Sequence, residues 1–166
     1  MDKIYNPVLD VEEIRPFLNK ISLFGGLNDK QLEEILKLLK TVKYDKGEYI
    51  YKRGEALSFI YIIKQGEVKL KIEEKGVFLD LINFKKGECF GETSVIGIQS
   101  HFSNALAVKP TELIVLEPAK LLSIYESNKE TFGMLVLNIA RETARRLHQS
   151  NETLVQYMLI KDMKLD

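Results

Sequence analysis

Between Thr41 and Leu116, apolar and polar residues alternate in short runs. Each run closes on a basic or polar residue followed by glycine: Lys46-Gly47, Arg53-Gly54, Gln65-Gly66, Lys75-Gly76 and Lys86-Gly87. Ile60 and Ile62, then Val68, Leu70 and Ile72, fall on one side of their runs, with Lys69 and Lys71 on the other. A period of two predicts strands with one buried and one wet face. Turn signals roughly every 8–12 residues predict an antiparallel sandwich or barrel, and Thr111 to Leu116 reads as its last strand.

Outside this region the period becomes helical. Val11, Ile14 and Leu18 predict a first helical stretch, and Pro16 makes it either two short pieces or a helix with the proline in its first turn. Gly25-Gly26 breaks the chain. Asn28 with Gln31 forms a capping-box pattern before Leu32, Ile35, Leu36 and Leu39, so a second helix is expected to run to about Lys40. After Pro118, a short helix is expected over Ala119 to Tyr125 and a long one from about Lys129 towards Ile160. In the long helix Val136, Ala140, Thr143, Leu147, Ser150, Leu154 and Tyr157 follow spacings of four and three. That heptad seam predicts packing along a partner helix, hence a homodimer.

Composition narrows the classes. The 166 residues suit one domain, read as a helical module at 1–40, a β-rich body at 41–117 and C-terminal helices at 118–166. Lys+Arg and Asp+Glu are both 24, so the chain lacks the basic excess of a free-standing nucleic-acid binder. No direct DNA binding by this chain alone is expected. One cysteine excludes an internal disulfide framework and a four-cysteine metal site. No apolar run approaches the length of a membrane span, and MDKIYNPVLDVEEIR has no signal-peptide core, which together predict no membrane partner and a cytoplasmic location. Neither paired carboxylates, a nucleophile–base pair nor a metal cluster can be read, so no enzyme and no metal site are expected.

The candidate chemistry lies in Gly87 to Val108, GECFGETSVIGIQSHFSNALAV. Gly87 and Gly91 bracket Cys89-Phe90, and Glu92-Thr93-Ser94 follow at an expected helix start. Unpaired N–H groups at such an end suit a phosphate. Small residues at Ala105 and Ala107, in the strand that follows, leave room beside it. The stretch reads as a phosphate cradle.

This order of elements, with Gly47-Glu48, Gly54-Glu55, Tyr61-Ile62-Ile63, Gly66-Glu67-Val68, Phe90-Gly91-Glu92 and Ala144-Arg145-Arg146-Leu147, resembles the cyclic nucleotide-binding domain family, in particular its catabolite activator branch. The resemblance covers roughly residues 22–158. It implies an α+β fold: an antiparallel double-stranded β-helix, or jelly roll, with N-terminal helices and a long C-terminal dimerisation helix. It also implies that Gly91 lets ligand approach the backbone and that Glu92 accepts from a ribose hydroxyl. Thr93 and Ser94 would serve a cyclic phosphate. Ser150 and Asn151 match positions that meet the purine, and cAMP or cGMP would be the ligand. The family's phosphate arginine aligns with Ser103, followed by Asn104, and the spacer is a residue or two longer than usual. No arginine occurs between Arg53 and Arg141. A charge-assisted hydrogen bond contributes about 1.5–3 kcal/mol, so its loss predicts weakening by one to several decades; His101, Ser103, Asn104 or Lys85 and Lys86 would compensate in part.

The expected function is therefore a ligand-sensing regulatory domain that binds a cyclic nucleotide weakly, or a related small anion, as a homodimer in signalling or transcription regulation. The second reading is a degenerate, ligand-free dimeric interaction module. Cys89 reads as a core thiol, and with His101 or His148 it makes a poor haem-type set. Arg141, Arg145 and Arg146 read as the solvated side of the dimer helix.

Overall fold

The computed structural model describes residues 3–8, 11–56 and 58–162. Among these, nine strands make two antiparallel sheets. Strands β1 (Asn6–Pro7), β2 (Lys40–Tyr44), β4 (Ile60–Gln65), β7 (Cys89–Phe90) and β9 (Thr111–Leu116) form the first, in the order β1-β2-β9-β4-β7. Strands β3 (Tyr49–Tyr51), β5 (Glu67–Glu74), β6 (Val77–Lys85) and β8 (Asn104–Ala107) form the second, in the order β3-β8-β5-β6. Helices α1 (Val11–Leu18), α2 (Asp29–Leu36), α3 (Glu92–Gly97), α4 (Pro118–Ser127) and α5 (Lys129–Asp162) complete the chain, with a 3₁₀ turn at Ser22–Phe24. This is the jelly-roll architecture with a long C-terminal helix.

The central strands β4 and β9 of the first sheet are covered on both sides, which corrects the expectation of one wet face. On β4, Ile60 and Ile62 pack with Ile14, Leu18, Leu32, Ile35 and Leu135 of the helices. Their neighbours Tyr61 and Ile63 face Val68, Phe84, Phe90, Ala105 and Ala107 between the sheets. Likewise Ile114 and Leu116 of β9 meet the helical layer while Leu113 and Val115 meet the inter-sheet core. Strands buried on two faces read as continuous apolar runs, as IYII and LIVL do. Strands β5 and β8 of the second sheet keep the alternation, with Val68 and Ile72 of β5 buried among half-buried lysines and Ala105 and Ala107 of β8 buried between half-buried neighbours.

Short-range chemistry sets the turns. In Asp45–Glu48, Lys52–Glu55 and Lys85–Glu88 the last residue's N–H donates to the first residue's carbonyl, and its carboxylate accepts the first residue's N–H. The third residue is glycine with φ of 89°, 84° and 90° respectively. The recurring Gly-Glu pair is thus a self-closing turn in which the glutamate supplies an acceptor that the strands do not.

Two helical expectations change. Asn28 and Gln31 do make a capping box, but α2 ends at Leu36, because Leu38 and Leu39 turn back on Ile35 and Leu36 to bring Lys40 into β2. Pro16 lies inside α1, in its last turn, where the helix ends before the missing N–H disrupts more than one bond. At the outer edge, β6 exposes Val77, Phe78, Leu79, Leu81 and Ile82. Its pairing with β5 shifts between Leu70 and Lys71, leaving Leu81 as a bulge.

Candidate functional site: a buried carboxylate held by an arginine

Gly91 opens α3 with φ of 84°, a left-handed backbone that L side chains rarely adopt. A Cβ there would stand 2.6 Å from the Phe59 carbonyl and 2.9 Å from the Tyr61 ring. The glycine is required by its close packing against Phe59 and Tyr61.

That packing draws the first residue of α3 inward. Glu92 is 1% exposed, and the helix that it starts leaves its first N–H groups without intrahelical acceptors. The partner of Glu92 comes from 54 residues away. Arg146 of α5 donates from Nη1 to Glu92 Oε1 at 2.5 Å, from Nη2 to the Cys89 carbonyl at 2.6 Å and from Nε to Glu142 Oε1 at 2.9 Å. Its guanidinium carbon also lies 4.8 Å from the Phe84 ring centroid. Arg146 therefore does not dress a solvated helix face, as its sequence context suggests. It plugs the cradle.

The electrostatics follow from burial. Desolvation pushes the Glu92 carboxyl above the usual range, with the Arg146 charge acting against it. Burial raises Glu142 too, but the hydrogen bond from Arg145 and the charges of Arg146 and Arg145 outweigh it and hold the group low. Burial pushes the Cys89 thiol up to about 12, which leaves it an inert core thiol. Glu92 Oε2 is buried without a hydrogen-bond partner among the described residues. Buried carboxylate oxygens are rarely left unpaired in native structures, which singles this one out.

The other predicted site residues separate into two groups. Ser94 is buried and its Oγ lies 3.1 Å from His101 Nδ1. Burial alternates through Ser103, Ala105 and Ala107, so Ser103 is 4% exposed and turned inward. Asn104 is corrected: it points to the opposite face, where its Oδ1 accepts the Arg53 N–H at 2.9 Å. Thr93 is exposed, and so are Ser150 and Asn151, on the part of α5 beyond Arg146. Lys85 and Lys86 are also exposed, with Lys86 over the Phe17 ring. His148 stands exposed beside Glu152, apart from Cys89 and His101. Of the seam, Val136 and Thr143 are half-buried, while Ala140, Leu147, Ser150, Leu154 and Tyr157 are exposed. The face of α5 docked on the fold carries Thr131, Leu135, Asn138 and Ile139.

The family model of the cyclic nucleotide-binding domain matches residues 41–128, more than half of the chain and all of the cradle. The chain belongs to the cyclic nucleotide-binding domain family. It is similar to cGMP-dependent protein kinase 2 of Mus musculus, 35% identical over 98 residues, which are 58% of this chain and 13% of the kinase. It is also similar to cyclic nucleotide-gated channel beta-1 of Homo sapiens, 30% identical over 137 residues, 81% of this chain and 10% of the channel. Among solved structures it resembles the catabolite activator protein of Thermus thermophilus. The TM-score is 0.71 and the identity 27%, over 80% of this chain and 61% of that one. The chain spans only a small part of the kinase and the channel. No helix among the described residues is long and apolar enough to cross a membrane.

Proposed function

We propose that this cyclic nucleotide-binding domain is a ligand-sensing regulatory module that takes cAMP, cGMP or a related small anion into the cradle around Glu92. The observation that carries the reading is the orphaned Oε2 of Glu92, buried at the start of α3. A sugar hydroxyl supplies the donor that this oxygen lacks, and the phosphate belongs on the side of Ser94 and Ser103. With no arginine between Arg53 and Arg141, the wild-type affinity is expected on the order of tens of micromolar or poorer. Calorimetric titration with cAMP, cGMP and a cyclic dinucleotide tests this. Glu92→Gln should weaken whichever ligand binds by roughly tenfold. Absence of heat from all three at millimolar concentration would leave the second reading, a ligand-free interaction module. The side chain of Arg146 already standing in the cradle favours that alternative.

The same proposal includes a homodimer along α5. Leu147, Leu154 and Tyr157 are 61%, 56% and 67% exposed, beyond the part of α5 that docks through Thr131, Leu135, Asn138 and Ile139. Glutamates at Leu147 and Leu154 should convert a dimer to a monomer by light scattering. A double variant that remains dimeric places the contact elsewhere.

A further inference from the structure

We propose that His101 is a positioning residue whose imidazole sets the Ser94 hydroxyl as the hydrogen-bond donor to an anionic oxygen in the cradle. The assignment rests on the cradle taking a phosphate-bearing ligand. Nothing in the sequence motif points to it, because His101 falls in the lengthened spacer.

The observation is a chain of polar groups, buried at Ser94, His101 and Tyr61 and half-buried at Ser58. Ser94 Oγ lies 3.1 Å from His101 Nδ1, His101 Nε2 lies 3.1 Å from Ser58 Oγ, and Ser58 Oγ lies 2.6 Å from the Tyr61 hydroxyl. The imidazole is 2% exposed and stacks on the Tyr51 ring, with centroids 3.6 Å apart and planes 7° apart. Its backbone is held as well: His101 N–H donates to the Glu55 carbonyl, and the His101 carbonyl accepts from Gly54. The ring therefore keeps one orientation, and only its hydrogen moves.

The hydrogens can be counted. A neutral imidazole and three hydroxyls carry four hydrogens for three contacts, so one is left over. Burial lowers the proton affinity of His101, with the Glu55 charge acting the other way, and the count is made for the neutral ring. If the hydrogen sits on Nε2, His101 donates to Ser58 and Ser94 must donate to Nδ1. Ser94 then offers the cradle only lone pairs, which repel an anion. If the hydrogen sits on Nδ1, His101 donates to Ser94, Ser58 donates to Nε2, and Tyr61 donates to Ser58. Every buried hydrogen is then used except that of Ser94. The Nδ1–H tautomer is the one that makes Ser94 a donor, and an anionic oxygen selects it. Ser94 and Glu92 are both buried in α3, and in this proposal donor and carboxylate serve one ligand.

The test follows imidazole nitrogen signals in ¹⁵N-labelled wild-type protein, alone and with cGMP, cAMP or inorganic phosphate, with exposed His148 as internal control. Ligand is expected to move His101 to the Nδ1–H form. Titrations of Ser94→Ala and His101→Phe are each expected to show about tenfold weaker binding, and the double variant no further loss, since both remove one donor. A shift with phosphate but no nucleotide binding would refute the nucleotide reading and support the relay. Nucleotide binding with an unmoved tautomer, or independent losses in the two variants, would overturn the relay and keep that reading. No response to any of the three would refute both.

Discussion

Replacing Arg146 by methionine is expected to destabilise the fold by about 3–5 kcal/mol at neutral pH, the cost of leaving one partner of a buried ion pair unpaired. Glu92 is 1% exposed and the Arg146 side chain 16%, so water screens this pair far less than the surface bridges of Arg53 with Glu74 or Lys69 with Asp80. Burial already holds the Glu92 carboxyl above its ordinary range, and losing the arginine raises it further. A carboxyl whose folded value exceeds its unfolded one favours folding most below the unfolded value. That contribution is lost as pH rises through the folded value. The deficit of the variant should therefore be largest at mildly alkaline pH and shrink on acidification, as Glu92 takes up a proton. Urea unfolding at two pH values measures it. Adding Glu92→Gln to Arg146→Met should restore most of the loss, since it removes the stranded charge. An undiminished loss in that double variant would assign the effect to packing on Phe84 instead.

Ser103→Arg is expected to tighten cAMP at least tenfold, through a bidentate guanidinium–phosphate pair. The side chain starts from an inward, buried position on the line of Ala105 and Ala107, where small neighbours leave it space. Before ligand arrives, the new cation has an acceptor available in Glu92 Oε2. Glu92→Ala in the same chain should cancel the gain by removing the ribose contact. Titration of wild type, single and double variants reads this directly. Sub-micromolar affinity in the wild type would mean that another group already serves the phosphate, and an unchanged affinity in a folded Ser103→Arg would mean a cradle remade for other chemistry.

What could be read from the chain was local. The Asn28–Gln31 box, the Thr111–Leu116 strand and the start of α5 at Lys129 all appear as expected, because each depends on residues within a turn or a strand's length. The role of Arg146 was not legible. With Arg141 and Arg145 close by, it reads as part of a solvated helix side, and only the docking of α5 decides that its guanidinium turns towards Cys89 and Glu92. The two-sided burial of β4 was hidden for a similar reason, since Ile60 and Ile62 satisfy a period of two whether or not Tyr61 and Ile63 are also covered. One distinction was available and missed: alternation from Ala105 places Ser103 inside and Asn104 outside.

The bulge at Leu81 has a meaning beyond the β5–β6 ladder. The strand β6 is the open edge of its sheet, nine residues long and without proline, and its exposed apolar residues lie close together. Such an edge is a template onto which another chain can add a strand, the first step towards aggregation. The extra residue twists the strand and interrupts its row of free N–H and C=O groups. Asp80, held by Lys69, sets a charge beside the bulge. A bulge of this kind, on an edge so apolar, works against strand addition by a neighbour.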